Sequence, residues 1–226
     1  MSIVAIRDRV IKDVRGIIEL PVDGSPKAQR TIVLAHGAGT GMDSPFMAFF
    51  AEGIAAIGLR VVRFEFPYMA ERRQTGKQRP PDREPVLRET WLTVIEQLGA
   101  KDLVIGGKSV GGRIASLVAD EAGVAGLVCL GYPFHPTGRP DTLRVDRLCN
   151  LKTPALIVQG ERDPFGSRAE VAGYALSKAI QVHWLADGDH SFKPRKASDR
   201  TEPQNWEEGL RTVARFTGAL AIPSAG

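Results

Sequence analysis

A run of twelve residues does most to constrain the fold: Leu103-Val104-Ile105-Gly106-Gly107-Lys108-Ser109-Val110-Gly111-Gly112-Arg113-Ile114. Its apolar, partly β-branched start reads as a buried strand. The strand runs into Gly107-Lys108-Ser109-Val110-Gly111, a G-x-S-x-G pattern, and Ile114, Leu117 and Val118 follow at helical spacing. A serine at so tight a turn needs neighbours without a Cβ, because the strand and helix backbones pass close to it. The turn also brings the Val110 N–H to a helix N-terminus, where negative charge is stabilised. Gly107-Lys108-Ser109 does not end a phosphate-binding loop. That pattern requires glycine five positions before Gly107, and the residue there is Asp102.

The rest of the chain alternates strands and helices, which predicts an α/β protein with a mostly parallel sheet covered on both faces. Strands are expected over 16–21, 31–35, 59–64, 126–131, 155–160 and 180–185. Helices are expected over 46–57, 86–98, 168–176 and 205–220. Ser44 and Pro45 form the start signal of the first helix, and Gly99 the stop of the second. Residues 23–27 read as a turn and 223–226 as a frayed tail. Residues 72–85, RRQTGKQRPPDREP, hold no core residue and read as a surface loop or disordered stretch, with a flap or a partner-binding loop as the functional alternatives. Residues 133–154 leave room for one short helix, over 142–148.

A length of 226 residues favours one domain over 1–226. The segment 1–16 is too charged for a signal peptide, and no apolar run approaches the roughly 20 residues of a membrane helix, so a cytoplasmic protein is expected. Cys129 and Cys149 supply no disulfide framework, and Cys129 reads as a reduced core residue. The net charge of +4 comes without aromatic residues interleaved among the basic ones, so neither a nucleic acid nor a membrane is an expected partner.

Strand, G-x-S-x-G turn and helix together resemble the nucleophile elbow of the α/β-hydrolase superfamily. The resemblance implies an α/β-hydrolase fold and a serine, an acid and a histidine in that chain order. Ser109 is then the nucleophile. Asp163 is the acid candidate, since it follows strand 155–160 in Gln159-Gly160-Glu161-Arg162-Asp163-Pro164; Glu161 is its rival. His190, in Gly188-Asp189-His190-Ser191-Phe192, is the base candidate, with Asp187 and Asp189 as turn formers. His135 is the second choice of base, and with Phe134 it is expected to line the substrate pocket. His183 is expected at an edge or solvent-facing strand position. Ala35-His36-Gly37-Ala38-Gly39 resembles the superfamily's His-Gly loop, which implies that the Ala38 and Val110 N–H groups form an oxyanion hole while the His36 ring holds the loop. Lys108 reads as local electrostatics or packing.

More narrowly, the HGAG, GKSVGG, GYPFHP and GDHSF segments together resemble a family of small hydrolases. It includes bacterial predicted hydrolases and the hydrolase-like subunit of a non-specific-lethal histone acetyltransferase complex. The implied hydrolase has a minimal or absent lid, needs no cofactor or metal, and acts on a small-molecule ester or thioester. The alternative is a non-catalytic interaction module that binds a protein through the basic 72–83 segment. The residues leave the acyl group and the oligomeric state open.

Overall fold

The computed structural model describes the backbone of residues 6–12 and 17–23 and the whole of residues 30–220. Its strands are β1 (Ile6–Lys12), β2 (Ile17–Asp23), β3 (Thr31–Ala35), β4 (Arg60–Phe64), β5 (Leu103–Lys108), β6 (Gly126–Leu130), β7 (Ala155–Gly160) and β8 (Ile180–Leu185). They form one sheet in the order β1-β2-β4-β3-β5-β6-β7-β8. β1 and β2 pair antiparallel, β2 runs antiparallel to β4, and every other neighbour pair is parallel. The helices are α1 (Pro45–Ala56), α2 (Pro67–Thr75), α3 (Glu84–Leu98), α4 (Val110–Ala122), α5 (Arg168–Val171) and α6 (Glu202–Ala219).

The central strands are apolar at successive positions because both of their faces are covered. On one face Ile32, Leu34, Val104, Val128 and Val158 pack with Phe50 and Ile54 of α1 and Val213 of α6. On the other, Val33, Ile105, Leu127 and Ile157 pack with Trp91 and Val94 of α3 and Ile114 and Val118 of α4. The period of two along each strand sends alternate side chains to the two cores. Ser44 accepts a hydrogen bond from the Met47 N–H and Pro45 opens α1, as the residue types predict. α6 starts on a reciprocal cap between Thr201 and Gln204.

The structure departs from the sequence reading in four places. α2 forms across 67–75 and absorbs the first residues expected in a loop. Pro67 starts it, Tyr68 and Met69 bury its first turn, and Gly76 in the left-handed region ends it. No helix forms over 142–148. The chain passes there in turns, with Leu148 and Leu151 buried, because so short a segment beside Pro140 cannot offset helix nucleation. α5 stops at Val171 rather than 176, ahead of Gly173. β1 was masked in the sequence by its charge density. The turn expected over 23–27 opens at Asp23, which instead ends β2; the rest of it and the tail at 223–226 lie outside the described residues. Among the described residues no helix is long and apolar enough to cross a membrane. Cys129 and Cys149 are both free, and burial pushes the Cys129 thiol well above its ordinary value.

Trp91 couples α3 to the turn after β5. Its ring meets Phe64 edge-on at 4.7 Å, and its indole N–H donates to the Gly111 carbonyl at 3.3 Å. Trp91→Ala is expected to cost about 3–5 kcal/mol, read from the urea-unfolding midpoint at unchanged slope.

Candidate active site

Ser109 stands between β5 and α4 with φ 52° and ψ −117°, a left-handed backbone that a non-glycine residue adopts only under constraint. The constraint is backbone packing. A Cβ on Gly107, where φ is +145°, would overlap the Ala35 carbonyl oxygen, and one on Gly111 would overlap that oxygen and come 2.7 Å from the His36 carbonyl. The Ser109 N–H donates to Leu130 O of the neighbouring β6 at 3.1 Å, and its carbonyl accepts the Arg113 N–H at 2.9 Å. With that carbonyl committed along α4, the Val110 N–H of the same trans peptide points out of the helix N-terminus.

The His36 segment lies against this turn; a Cβ on Gly37 would stand 3.7 Å from Ser109 Cβ. His36 is fully buried. Its Nε2 accepts the Phe66 N–H at 3.1 Å, so Nδ1 carries the proton and donates to the Gly37 carbonyl at 2.6 Å. The Tyr68 hydroxyl donates to the same carbonyl at 3.2 Å. Carbonyl and N–H of a trans peptide point in opposite directions, so two donors on Gly37 O turn the Ala38 N–H away from the core. Ala38, Gly39 and Thr40 are exposed. Arg72 of α2 donates to Gly39 O at 3.0 Å, and buried Glu65 accepts the Met42 N–H and the Arg73 guanidinium, so the loop is held along its length. Nothing in the sequence singled out Tyr68.

Asp163 lies after β7 and is fully buried. Its Oδ1 accepts the Phe165 N–H at 2.9 Å, and its Oδ2 faces both Gln159 Nε2 at 2.9 Å and His190 Nδ1 at 2.7 Å. Glu161 turns elsewhere, to Arg168 at 2.7 Å and the Asp187 N–H at 3.1 Å. Gln159 also bonds the Tyr132 backbone in both directions, through Oε1 at 2.7 Å and Nε2 at 3.1 Å. It was missed in the sequence, where its signal was one amide side chain inside an apolar strand.

His190 follows β8 in a loop that Asn205 of α6 fastens by donating to Ala186 O at 3.1 Å and Phe192 O at 2.8 Å. Asp189 accepts the Ser191 and Lys193 N–H groups at 2.8 and 3.0 Å, and Asp187 pairs with Arg162 and Arg195. The Phe165 ring packs on the imidazole at 4.4 Å between centroids. His190 meets Gly131, at the end of β6, where an added Cβ would come 3.3 Å from its Nδ1. Leu130, the residue before that glycine, holds the Ser109 N–H, so Ser109 and His190 share one end of the sheet. Among the described residues His190 Nε2 has no hydrogen-bond partner, and its bond to Ser109 Oγ is not formed. Burial lowers the His190 pKa from its ordinary 6.5, opposed by the Asp163 hydrogen bond and reinforced by the Lys108 charge.

The two residues expected to line the pocket are corrected. Phe134 is fully buried against Tyr132 and Tyr174, in the core beneath Gly166. His135 is 2 % exposed; its Nδ1 bonds Pro136 O at 2.9 Å and its Nε2 lies 3.5 Å from Glu170. Phe134 joins the core shared with α3 and α4, and His135 is closed in beside Pro136 and Glu170, so both side chains turn inward. His183 sits on edge strand β8 and bonds Glu208 at 2.9 Å. Among the described residues no group of three or more His, Cys, Asp or Glu is placed to hold a metal ion.

With this geometry in view, the likeness to known proteins is clear. The model of an alpha/beta hydrolase domain matches residues 28–218, and the chain belongs to that family. An α/β serine hydrolase without a lid from Xanthomonas campestris is similar in fold, with TM-score 0.70, 18 % identity and the full length of both chains covered. Dienelactone hydrolase from Anabaena variabilis gives TM-score 0.73 and 18 % identity over 95 % of this chain and 98 % of its own. An α-β serine hydrolase homologue from Coxiella burnetii gives 0.68 and 20 % identity, over 98 % and 100 %.

His36 also yields a stability test. Burial lowers its pKa from 6.5, so it stabilises the fold above about pH 6.5, and this contribution fades as pH falls toward the folded-state value. His36→Ala is expected to cost about 2–4 kcal/mol at pH 7.5, through two lost hydrogen bonds and an unpaired Phe66 N–H. In urea unfolding the gap between wild type and variant should narrow from pH 7.5 to 5.

Proposed function

We propose that this protein is a serine hydrolase that cleaves a small ester or thioester through an acyl-enzyme. The observation that carries this reading is the 2.7 Å hydrogen bond from His190 Nδ1 to buried Asp163, at the end of the sheet where Ser109 is held with a left-handed backbone. Nδ1 donates to the carboxylate, which leaves Nε2 as the basic atom. In the proposed reaction Ser109 Oγ attacks the acyl carbon and its proton passes to Nε2. The Ala38 and Val110 N–H groups receive the oxyanion, each supplying about 3 kcal/mol in the transition state. The imidazolium then gives its proton to the departing alcohol or thiol, and a water repeats the sequence to free the acid. The exposed Ala38–Thr40 rim, with no helical lid between β6 and β7, favours a small soluble substrate over a long acyl chain.

A fluorophosphonate is expected to label the protein at Ser109 and to leave Ser109→Ala unlabelled, with mass spectrometry locating the adduct. A folded protein that takes no label and hydrolyses no activated ester of any acyl length would favour the interaction-module reading instead.

The pH dependence follows from His190. The base must be neutral, and burial holds its pKa below 6.5. kcat/KM should therefore rise with pH through a midpoint below about 6.5 and level off above it. A rate independent of pH from 5 to 8 rejects His190 as the base.

Asp163→Asn should lower kcat by about 10² to 10⁴ with KM little changed, since the amide favours the wrong imidazole tautomer. Glu161→Gln, paired to Arg168 and the Asp187 backbone, should stay within roughly tenfold on the same ester. The reverse order would move the acid to Glu161.

A further inference from the structure

The reaction as proposed leaves unused a buried amine beside the nucleophile. Lys108 ends β5, directly before Ser109, and is only 8 % exposed. An ammonium in such a place requires partners, because its desolvation is costly. It has a hydrogen bond to the His190 carbonyl and the faces of two rings, Phe46 at 5.3 Å and Phe192 at 5.7 Å from their centroids. One ring comes from α1 and the other from the loop that carries His190.

Gly131 shows how near the amine lies to the imidazole. Its φ is +71°, and a Cβ there would come 2.8 Å from Lys108 Nζ, 2.8 Å from His190 O and 3.3 Å from His190 Nδ1. Amine, carbonyl and ring nitrogen thus surround one backbone position, which has no room for a side chain.

We propose that Lys108 is a positioning residue of the hydrolytic site, its ammonium anchoring the His190 loop while presenting a positive charge to the imidazole. This rests on the hydrolase reading for its role but not for its geometry. The charged groups facing the imidazole are Lys108 from β5, Asp163 from the loop after β7 and Asp189 from its own loop. The two carboxylates favour the imidazolium, and Lys108 opposes them. Without the ammonium, the Asp163 and Asp189 charges would act on the ring unopposed, and less of the base would be in its working, neutral form near neutral pH. Burial also pushes the Lys108 amine itself down to about 8, so its charge weakens on the alkaline side.

Two variants separate anchor from charge. Lys108→Met keeps an apolar stem against Phe46 and Phe192 but removes both donor and charge. Lys108→Gln retains an N–H donor, on a stem one bond shorter, for the His190 carbonyl and removes the charge. Both should move the acid limb of kcat/KM upward by about half a unit or more, as loss of a neighbouring like charge does. Lys108→Met should also lose about tenfold in kcat at the pH plateau, with KM little changed, while Lys108→Gln recovers most of that loss. The same upward shift should appear in the NMR titration of the His190 ring in the Ser109→Ala protein, its resonance assigned by its absence in His190→Asn. That titration needs no turnover, so a chain without hydrolase activity would still report the coupling. If the ring titrates at the wild-type midpoint in both variants, the charge has no effect on His190 and the proposal is overturned. Should Lys108→Met fail to fold, Lys108→Gln alone decides on the same midpoint.

Discussion

The site depends on one close approach of backbone to backbone. The turn from β5 into α4 lies so near the end of β3 that Gly107 and Gly111 both press on the Ala35 carbonyl. That contact forces Ser109 into its left-handed conformation and sets the His36–Gly39 segment beside it. The Val110 and Ala38 N–H groups are therefore placed by rigid elements: one by the first turn of α4, the other by a peptide whose carbonyl is fixed from behind by His36 and Tyr68. Strain at Ser109 can persist because the parallel strands on either side of β5 have no freedom to relieve it.

The second half of the site is held by buried side-chain amides. Gln159 fixes Asp163 and the Tyr132 backbone, and Asn205 fixes both ends of the His190 loop. Both are fully buried, and a buried polar group with its partners in place is strongly directional while one without them is costly. The loops after β7 and β8 thus have a defined geometry although neither is part of a regular element. Lys108 ties this half to the first, from the strand that carries Ser109 to the carbonyl of His190.

Much of this was legible in the sequence where local chemistry dictates structure. Gly107 and Gly111 flanking Ser109, Ser44 and Pro45 before α1, and Gly99 after α3 each carry their structural instruction within a few residues. The superfamily resemblance, with the chain order it implies, pointed to Asp163 and His190, and the structure brings that pair into hydrogen-bond contact. What stayed hidden depends on tertiary packing. Phe134 and His135 sit in a segment whose composition suits a pocket rim, and only the fold turns them into the core. α2 was concealed because its buried face is a single turn and the rest is charged. Gln159, Asn205 and Tyr68 look unremarkable in sequence, since their partners lie far along the chain and nothing local announces a buried bond.

That the supports include two amides and a phenol has a consequence for the proposed acid–base role of His190. Gln159 and Asn205 do not ionise, and burial carries the Tyr68 hydroxyl well above its ordinary value. Across the range in which a histidine changes charge, these groups offer the same donors and acceptors. These three supports are thus indifferent to the protonation of the imidazole, whereas His36, which shares Gly37 O with Tyr68, is itself titratable, and the Lys108 charge weakens only on the alkaline side.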